Sequence, residues 1–257
     1  MSRKFLSLNT FRDTGQPSKA NLNIFKRYLK ASVDTFFPRL CLCCNKKISD
    51  GYLCLNCQEK ITFLQPPLCR YCSALVVIEN GNICKKCFGK TYPYDRILSL
   101  TAYREPMPSL IHLFKYKNYD FIGEFLSSLM IRQLRKIRFN PFGYDFIIPV
   151  PMHKNKLKMR GYNQSEILAK LLSNYFKIPF KNDIIADIRT RTSQTKFSGT
   201  NRWQNVEGVF EVKKNIRRKR LILIDDIFTT GATVKSCCQE LRKNGANTIT
   251  VITLAKT

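Results

Sequence analysis

Residues 221–233 read Leu-Ile-Leu-Ile-Asp-Asp-Ile-Phe-Thr-Thr-Gly-Ala-Thr, and this stretch decides the fold. Its first four residues are aliphatic without polar alternation, which is typical of a strand buried on both faces of a parallel sheet. Gly245 is the predicted C-cap of the helix that follows, and residues 248–254 predict a second strand. The stretch therefore predicts a strand, a tight turn, a helix and a strand of an α/β fold. The apolar residues at helical spacing are Val234, Cys237, Cys238 and Leu241.

The turn after the first strand has the composition of a phosphate-binding site. A helix N-terminus offers free N–H groups and the positive end of the helix dipole, and Gly231 lets the backbone approach a ligand closely. Asp225 and Asp226 are the only adjacent acids in the chain. Such a pair can accept hydrogen bonds from a vicinal diol or hold hydrated Mg²⁺, although an exposed acidic turn would also explain a lone pair. Together these groups predict a ribose 5-phosphate site, with hydroxyl donors from Thr229, Thr230 and Thr233.

The charge of the chain is strongly unbalanced. Its 257 residues include 44 Lys and Arg against 18 Asp and Glu, which gives a formal charge of +26. A hydrophobic fraction of 44% is enough for a core, and this excludes disorder throughout the chain. The positive potential attracts polyanions, and the aromatic residues can stack on the bases of a single strand. Nucleic acid is therefore the leading predicted partner, with a solubility surface or a membrane-facing patch as the alternative.

Residues 1–37 are predicted to form a basic leader and an amphipathic helix. Residues 1–20 lack the apolar core of a signal peptide, and apolar residues recur at helical spacing between Leu22 and Phe36. This helix is expected to pack on the module behind it, and a membrane-surface helix is the alternative. No apolar run approaches the length of a transmembrane segment. We therefore expect a cytoplasmic protein, whose eleven cysteines are reduced and available to metal.

Residues 38–91 carry four Cys-x-x-Cys pairs, which is a strong signal for zinc. Each pair presents two thiolates to one ion, and two pairs complete the tetrahedral Cys₄ shell of structural Zn²⁺. Sequential pairing closes each ribbon over a short loop, while an interleaved arrangement also satisfies the spacing. A closed shell leaves no open position for catalysis, so the predicted role of the metal is folding. The sequential ligand sets are Cys41, Cys44, Cys54 and Cys57, and then Cys69, Cys72, Cys84 and Cys87.

Residues 92–257 are predicted to form the remaining domain. Residues 98–103 and 146–151 predict strands, and helices are expected from Pro108, over residues 122–137 and from about Ser165. Residues 153–160 are expected to form a very basic loop after the second of these strands. Arg160 at its end offers forked donors that suit a pyrophosphate, and a solvated basic loop is the alternative.

The order of these motifs resembles one family. Four Cys-x-x-Cys pairs are followed by Pro-Val-Pro at 149–151, Arg-Gly-Tyr-Asn-Gln at 160–164 and the acid and threonine motif at 224–233. This order is similar to that of the ComF (ComFC) proteins, the competence-associated phosphoribosyltransferase-like proteins of naturally transformable bacteria, over residues 38–257. The resemblance implies an α/β fold with a phosphoribosyltransferase type I-like parallel sheet flanked by helices, preceded by a small Cys₄ zinc-ribbon module.

The resemblance also implies ligands and partners. In the family the acids contact the ribose hydroxyls of phosphoribosyl pyrophosphate, with Mg²⁺, and the threonine loop holds the 5-phosphate. Arg160 becomes the first candidate for the pyrophosphate, and residues 190–203 the loop that closes over the ligand. Single-stranded DNA entering the cytoplasm during natural transformation and DNA-uptake or recombination proteins are the implied partners. The implied ribose phosphate contacts are Asp225, Asp226, Thr229, Thr230, Gly231, Ala232 and Thr233.

Three functional hypotheses remain open at this point. The chain is a DNA-handling protein with a retained ligand site, an active transferase on a nucleobase or other small acceptor, or a sensor whose ligand state changes its affinity for DNA. Transfer requires a pocket that holds the nucleophile. The sequence shows no such pocket, because a zinc module precedes the sheet where purine enzymes have a hood. The sequence therefore predicts the ligand without predicting turnover.

Overall fold

The computed structural model describes residues 38–77, 82–116, 120–189 and 208–257. The predicted leader and helix at 1–37 and the predicted closing loop at 190–203 lie outside these residues. Within the described ranges, no helix combines the length and the apolar character needed to cross a membrane.

Helices and strands alternate along the described chain. The strand predicted at residues 221–224 is longer than expected, because it continues through both acids to Phe228 and pairs with its neighbour over that length. In chain order the elements are α1 (Leu55–Glu59), β1 (Arg96–Ala102), α2 (Met107–Tyr116), α3 (Asp120–Lys136), β2 (Phe146–Pro149), α4 (Lys154–Arg160), α5 (Gln164–Phe176), β3 (Ile185–Asp187), β4 (Phe210–Val212), β5 (Arg220–Phe228), α6 (Ala232–Lys243) and β6 (Thr248–Lys256).

The central sheet is parallel and has the strand order β1-β6-β5-β2. Residues 221–224 of β5 are at most 1% exposed, which confirms a strand buried on both faces. Ile222 and Ile224 join one apolar cluster with α3 and α5, while Leu221 and Leu223 join a second cluster with α6. Side chains alternate between the faces of a strand, so helices on both sides bury all four. The predicted parallel sheet flanked by helices is confirmed.

The predicted basic loop at residues 153–160 is wrong, because Lys154–Arg160 form the helix α4. His153 caps the helix by accepting a hydrogen bond from the Asn155 N–H, and Gly161 ends it at φ 80°. Lys, Leu, Met and Arg are good helix formers, so six such residues among the seven between the two caps favour a helix. The helix buries none of its residues, so the apolar periodicity that marks the other helices is absent here.

The zinc-ribbon region closes one edge of the sheet. The Ala102 N–H donates to the Thr62 carbonyl at 2.9 Å, and the Leu64 N–H donates to the Leu100 carbonyl at 3.0 Å, which adds a short antiparallel segment beside β1. An uncovered strand edge would present unpaired backbone groups. Cys41 and Cys57 also lie in the apolar cluster formed by α2 and α3. The first ribbon and the sheet domain therefore share one core.

Candidate functional site

The two predicted acids lie near the carboxyl end of β5, and each has its own partners. Asp225 Oδ1 accepts hydrogen bonds from the Ser165 hydroxyl and from the Asp226 N–H, both at 2.9 Å. Asp226 Oδ2 lies 2.7 Å from Lys115 Nζ, and these two side chains are 13% and 20% exposed. Lys115 stands in the last turn of α2 and Ser165 in the first turn of α5. Elements from two other parts of the chain therefore hold the acid pair in place.

Asp225 has a raised pKa. Burial, together with the charge of Asp226, raises the pKa of Asp225 to about 7, against the lowering effect of the hydrogen bonds from Ser165 and the Asp226 N–H and of the charge of Lys115. Burial acts in this direction because a carboxylate loses hydration when it leaves water. Asp225 therefore changes charge near neutral pH, and a ligand that donates hydrogen bonds to it favours the ionised form.

The turn after β5 leaves its three threonines exposed to solvent. Gly231 precedes α6 at φ 75°, where a Cβ atom would lie 2.5 and 2.6 Å from two atoms of the Phe228 ring. Only glycine fits this position without displacing that ring. Thr230 Oγ1 accepts a weak hydrogen bond from the Ala232 N–H at 3.4 Å. The exposed residues of the turn and the first helical turn are Thr229, Thr230, Ala232 and Thr233.

Arg160 lies at the end of α4 and packs on the ring of Tyr116, at the end of α2. Its Nη1 donates to Gln164 Oε1 at 3.1 Å and its Nη2 to the Tyr116 hydroxyl at 3.3 Å, with the guanidinium carbon 5.1 Å from the centre of the Tyr116 ring. Arg160 Nε and Gln164 Nε2 are buried without a hydrogen-bond partner among the described residues. Buried polar atoms are nearly always paired, so these two donors mark a place where a ligand or ordered water completes the structure.

The sequence did not identify three of the residues that build this site. Lys115 and Tyr116 lie in the helix predicted from Pro108 and carried no assigned role, and Ser165 entered only as an approximate helix start. They reach the acids and Arg160 from distant parts of the chain, so no local spacing marks them. Asn163 caps α5 and donates to the Val150 carbonyl at 3.0 Å, which fixes the helix start that carries Ser165.

The acid pair fits a magnesium ion through one carboxylate more readily than through two. Mg²⁺ takes carboxylate oxygens while keeping several waters. No described residue donates to Asp225 Oδ2, whereas the Lys115 ammonium already holds an oxygen of Asp226. A hydrated ion at Asp225 is therefore compatible with the contacts seen, and an ion shared by both acids would lie beside the Lys115 ammonium, whose positive charge opposes it.

The eight predicted cysteine ligands form two clusters. In each cluster the four sulfur atoms lie within 4.8 Å of one another, and the grouping follows the sequence. The Sγ atoms of Cys44 and Cys54 are 3.6 Å apart, as are those of Cys72 and Cys84. Zn–S bonds of about 2.3 Å give a tetrahedron with edges of about 3.8 Å, so both clusters fit structural zinc. The clusters are Cys41, Cys44, Cys54 and Cys57, and Cys69, Cys72, Cys84 and Cys87.

Comparison with known proteins finds a matching family for the zinc-ribbon region and for the sheet domain. A double zinc ribbon domain matches residues 32–93, and a phosphoribosyl transferase domain matches residues 162–257. Competence protein F of Haemophilus influenzae is 30% identical over 231 residues, which cover 86% of this chain and 98% of that protein. The chain belongs to the competence protein F (ComF) family.

Other members and one solved structure complete the comparison. The DNA utilization protein YhgH of Shigella flexneri is 28% identical to this ComF chain over 225 residues, covering 86% of the chain and 98% of the relative. A purine phosphoribosyltransferase from Pyrococcus horikoshii is 20% identical with a TM-score of 0.33, covering 52% of this chain and 83% of the other. The resemblance stated from the sequence motifs is confirmed at the level of the family.

We expect Asp225→Asn to remove a pH dependence from the stability of the ligand-free protein. The pKa of Asp225 rises from the usual 3.8 to about 7 on folding. The stabilising contribution of protonated Asp225 to the free energy of unfolding is therefore fully present below about pH 4 and is lost as pH rises through about 7. Urea unfolding at about pH 5 and about pH 8 should show roughly 2 kcal/mol less pH dependence in the variant. Asp183→Asn, at an exposed acid that pairs with Lys214, is the control. Equal pH dependence in wild type and Asp225→Asn would contradict the assignment.

We expect Cys44→Ser to lose one bound zinc ion and Cys43→Ser to lose none. Cys44 belongs to the first cluster, whereas the Cys43 thiol lies 4.0 Å from the Pro106 carbonyl and outside both clusters. Metal analysis of the two purified variants gives the zinc content per chain. Cys44→Ser should also lower the Tm of the whole protein, because Cys41 and Cys57 belong to the core of the sheet domain. The same zinc content in both variants would contradict the pairing.

Proposed function

We propose that this chain is a competence-associated, phosphoribosyltransferase-like protein that binds phosphoribosyl pyrophosphate or a related ribose phosphate. We further propose that it handles incoming single-stranded DNA in the cytoplasm during natural transformation. The names of its relatives, competence protein F and DNA utilization protein, support the general role. The proposed ribose phosphate ligand is supported chiefly by the end of β5, where a carboxylate pair precedes an exposed turn and a helix N-terminus that begins at a glycine.

Each part of the ligand has a matching group in the chain. The N–H groups at the start of α6 and the threonine hydroxyls suit the 5-phosphate. Asp225 and Asp226 suit the two ribose hydroxyls, since carboxylates accept hydrogen bonds. Arg160 suits the pyrophosphate, because its buried Nε lacks a described partner and guanidinium groups bind phosphates through paired donors. Mg²⁺, held with the pyrophosphate beside Asp225, would neutralise phosphate charge.

The domain division proposed for this function separates three parts of the chain. We propose that residues 1–37, which lie outside the described residues, are a basic leader and amphipathic helix, that residues 38–91 are the double zinc ribbon and that residues 92–257 are the phosphoribosyltransferase-like domain. The zinc ions serve folding, because four thiolates close each coordination shell.

The alternative is an active transferase that acts on a nucleobase or another small acceptor. The raised pKa of Asp225, about 7, favours this alternative, because a general base works best when its pKa lies near the working pH. Release of pyrophosphate in the presence of Mg²⁺ and a candidate base, abolished by Asp225→Asn, would establish turnover. Ligand binding without such release supports the retained-site function.

We expect phosphoribosyl pyrophosphate with Mg²⁺ to raise the Tm of the wild-type protein, because a ligand that binds only the folded state stabilises it. Replacing Asp225 and Asp226 together by Asn should weaken binding about tenfold or more, since charge-assisted hydrogen bonds to the ribose are lost. Isothermal titration calorimetry measures the affinity, and Asp183→Asn should bind as the wild type does. An unchanged wild-type Tm at saturating ligand would refute the proposed ligand.

We expect the full-length protein to bind single-stranded DNA with an affinity that falls steeply between about 50 and about 200 mM salt. The formal charge of +26 implies contacts to several phosphates, and each contact releases counterions when it forms. Fluorescence anisotropy of a labelled oligonucleotide over a salt series gives the slope. Binding that ignores salt, or no binding at low salt, would rule out the DNA-handling role.

A further inference from the structure

An open cleft of about 560 Å³ lies at the edge of the sheet opposite to the acid pair. The amino ends of β1, β5 and β6 form one side of it, and residues 68–70 and Asn82 of the second zinc ribbon form the other. Arg220 in the cleft and Asp225 at the ribose phosphate site are five residues apart on β5, which at about 3.3 Å per residue is about 16 Å. The cleft is therefore separate from the site described above. We call it the arginine cleft, after its lining residues Arg70, Arg96 and Arg220.

These three arginines have no carboxylate partner in the described part of the chain, where the ion pairs involve other residues. Arg70 Nε donates to the backbone carbonyl of Asp95 at 2.6 Å. The carboxylate of Asp95 also lines the cleft, but it already accepts hydrogen bonds from Arg242 at 2.5 Å and from the Ile249 N–H at 2.7 Å. The charge of the cleft is therefore positive.

Arg96 and Arg220 converge on Tyr144. Arg96 donates to the Tyr144 hydroxyl at 3.3 Å and to Thr250 Oγ1 at 3.4 Å, and the guanidinium carbon of Arg220 lies 5.5 Å from the centre of the same ring. Gly143 precedes this tyrosine, and a Cβ atom there would overlap the Arg220 guanidinium. The guanidinium carbon of Arg96 lies 5.4 Å from the centre of the Phe139 ring. The Tyr144 and Phe139 rings therefore orient the two guanidinium groups and leave most of the five N–H donors of each unused.

The chemistry of the arginine cleft matches phosphate. Guanidinium groups bind phosphate oxygens through paired, charge-assisted hydrogen bonds, and a threonine or tyrosine hydroxyl adds a further donor. Three like charges around one cleft repel each other, so a bound anion stabilises the arrangement. The cleft is open to solvent and polar, which suits a chain of phosphates that enters and leaves better than an enclosed small molecule.

We propose that the arginine cleft binds backbone phosphates of a nucleic-acid single strand, and that the second zinc ribbon supplies one of its walls. Arg70 lies between Cys69 and Cys72, so folding of this ribbon around its metal positions the third guanidinium. The inference rests on the proposed handling of single-stranded DNA and gives that activity a location. Because the strand and the ribose phosphate occupy opposite edges of one sheet, both can be bound at once.

The test measures binding of a labelled oligothymidylate to the full-length, zinc-loaded protein by fluorescence anisotropy over a salt series. The oligonucleotide has about 20 nucleotides, longer than the usual site of a single-strand binding fold. The double variant Arg96→Gln and Arg220→Gln should bind about tenfold more weakly or worse, and its salt slope should fall by about 1.4, which corresponds to two lost phosphate contacts. The matched control, Lys47→Gln with Lys170→Gln, removes the same charge at two exposed residues outside the cleft and should keep the wild-type slope.

The remaining outcomes separate this inference from the proposed function. Wild-type Tm and zinc content in the double variant show that it is folded. If the wild type binds the strand and both double variants weaken binding equally, the location is wrong and the DNA-handling function stands. If the wild type binds no strand, the function itself fails. Thymidine 5′-monophosphate and unlabelled strand are compared as competitors at equal concentrations of nucleotide. Equal competition by the two would overturn the inference, because the cleft would then bind a free nucleotide as well as it binds a strand.

Discussion

Burial of β5 on both faces is the constraint on which the rest of the structure depends. Residues 221–224 are enclosed by two apolar clusters, so the strand can carry charged side chains only at its two ends. Arg220 is exposed at the amino end, and Asp225 and Asp226 follow the buried run at the other. A basic cleft and an acidic site therefore lie at opposite edges of the same sheet. Parallel strands reinforce the separation, because their like ends lie at the same edge.

The zinc ribbons are part of this arrangement through direct contacts. The first ribbon shares its core with α2 and α3, and α2 carries Lys115 and Tyr116 to the acid pair and to Arg160. The second ribbon is tied to β1, where the Ser73 hydroxyl bonds the Ile97 carbonyl at 3.1 Å and the Ser99 N–H at 2.9 Å. Metal that is distant from any reaction can therefore affect both edges of the sheet, because it holds the elements that line them.

Charge in this chain is balanced locally where it is partly buried. Lys115 faces Asp226, Arg242 faces Asp95 and Lys219 faces Asp145, while the hydrogen bond from the Arg220 N–H helps to lower the pKa of Asp145. With 44 basic residues and 18 acidic ones, most cations must remain without an acidic partner. Where several such cations share one cleft, as at the amino edge of the sheet, a polyanion is the natural complement.

The sequence by itself determined the sheet strands, the helix after the acid pair, the cysteine clusters and the threonine turn, because each depends on residues that are close together in the chain. Apolar runs, helical periodicity and Cys-x-x-Cys spacing are local signals of this kind. The helix α4 was missed because it buries no residue and so leaves no periodic pattern. Only the tertiary structure decided that Lys115 and Ser165 hold the two acids, and that Arg96 and Arg220 meet at Tyr144. Those contacts join residues far apart in sequence, and they exist only because the sheet and the packed helices bring distant segments together.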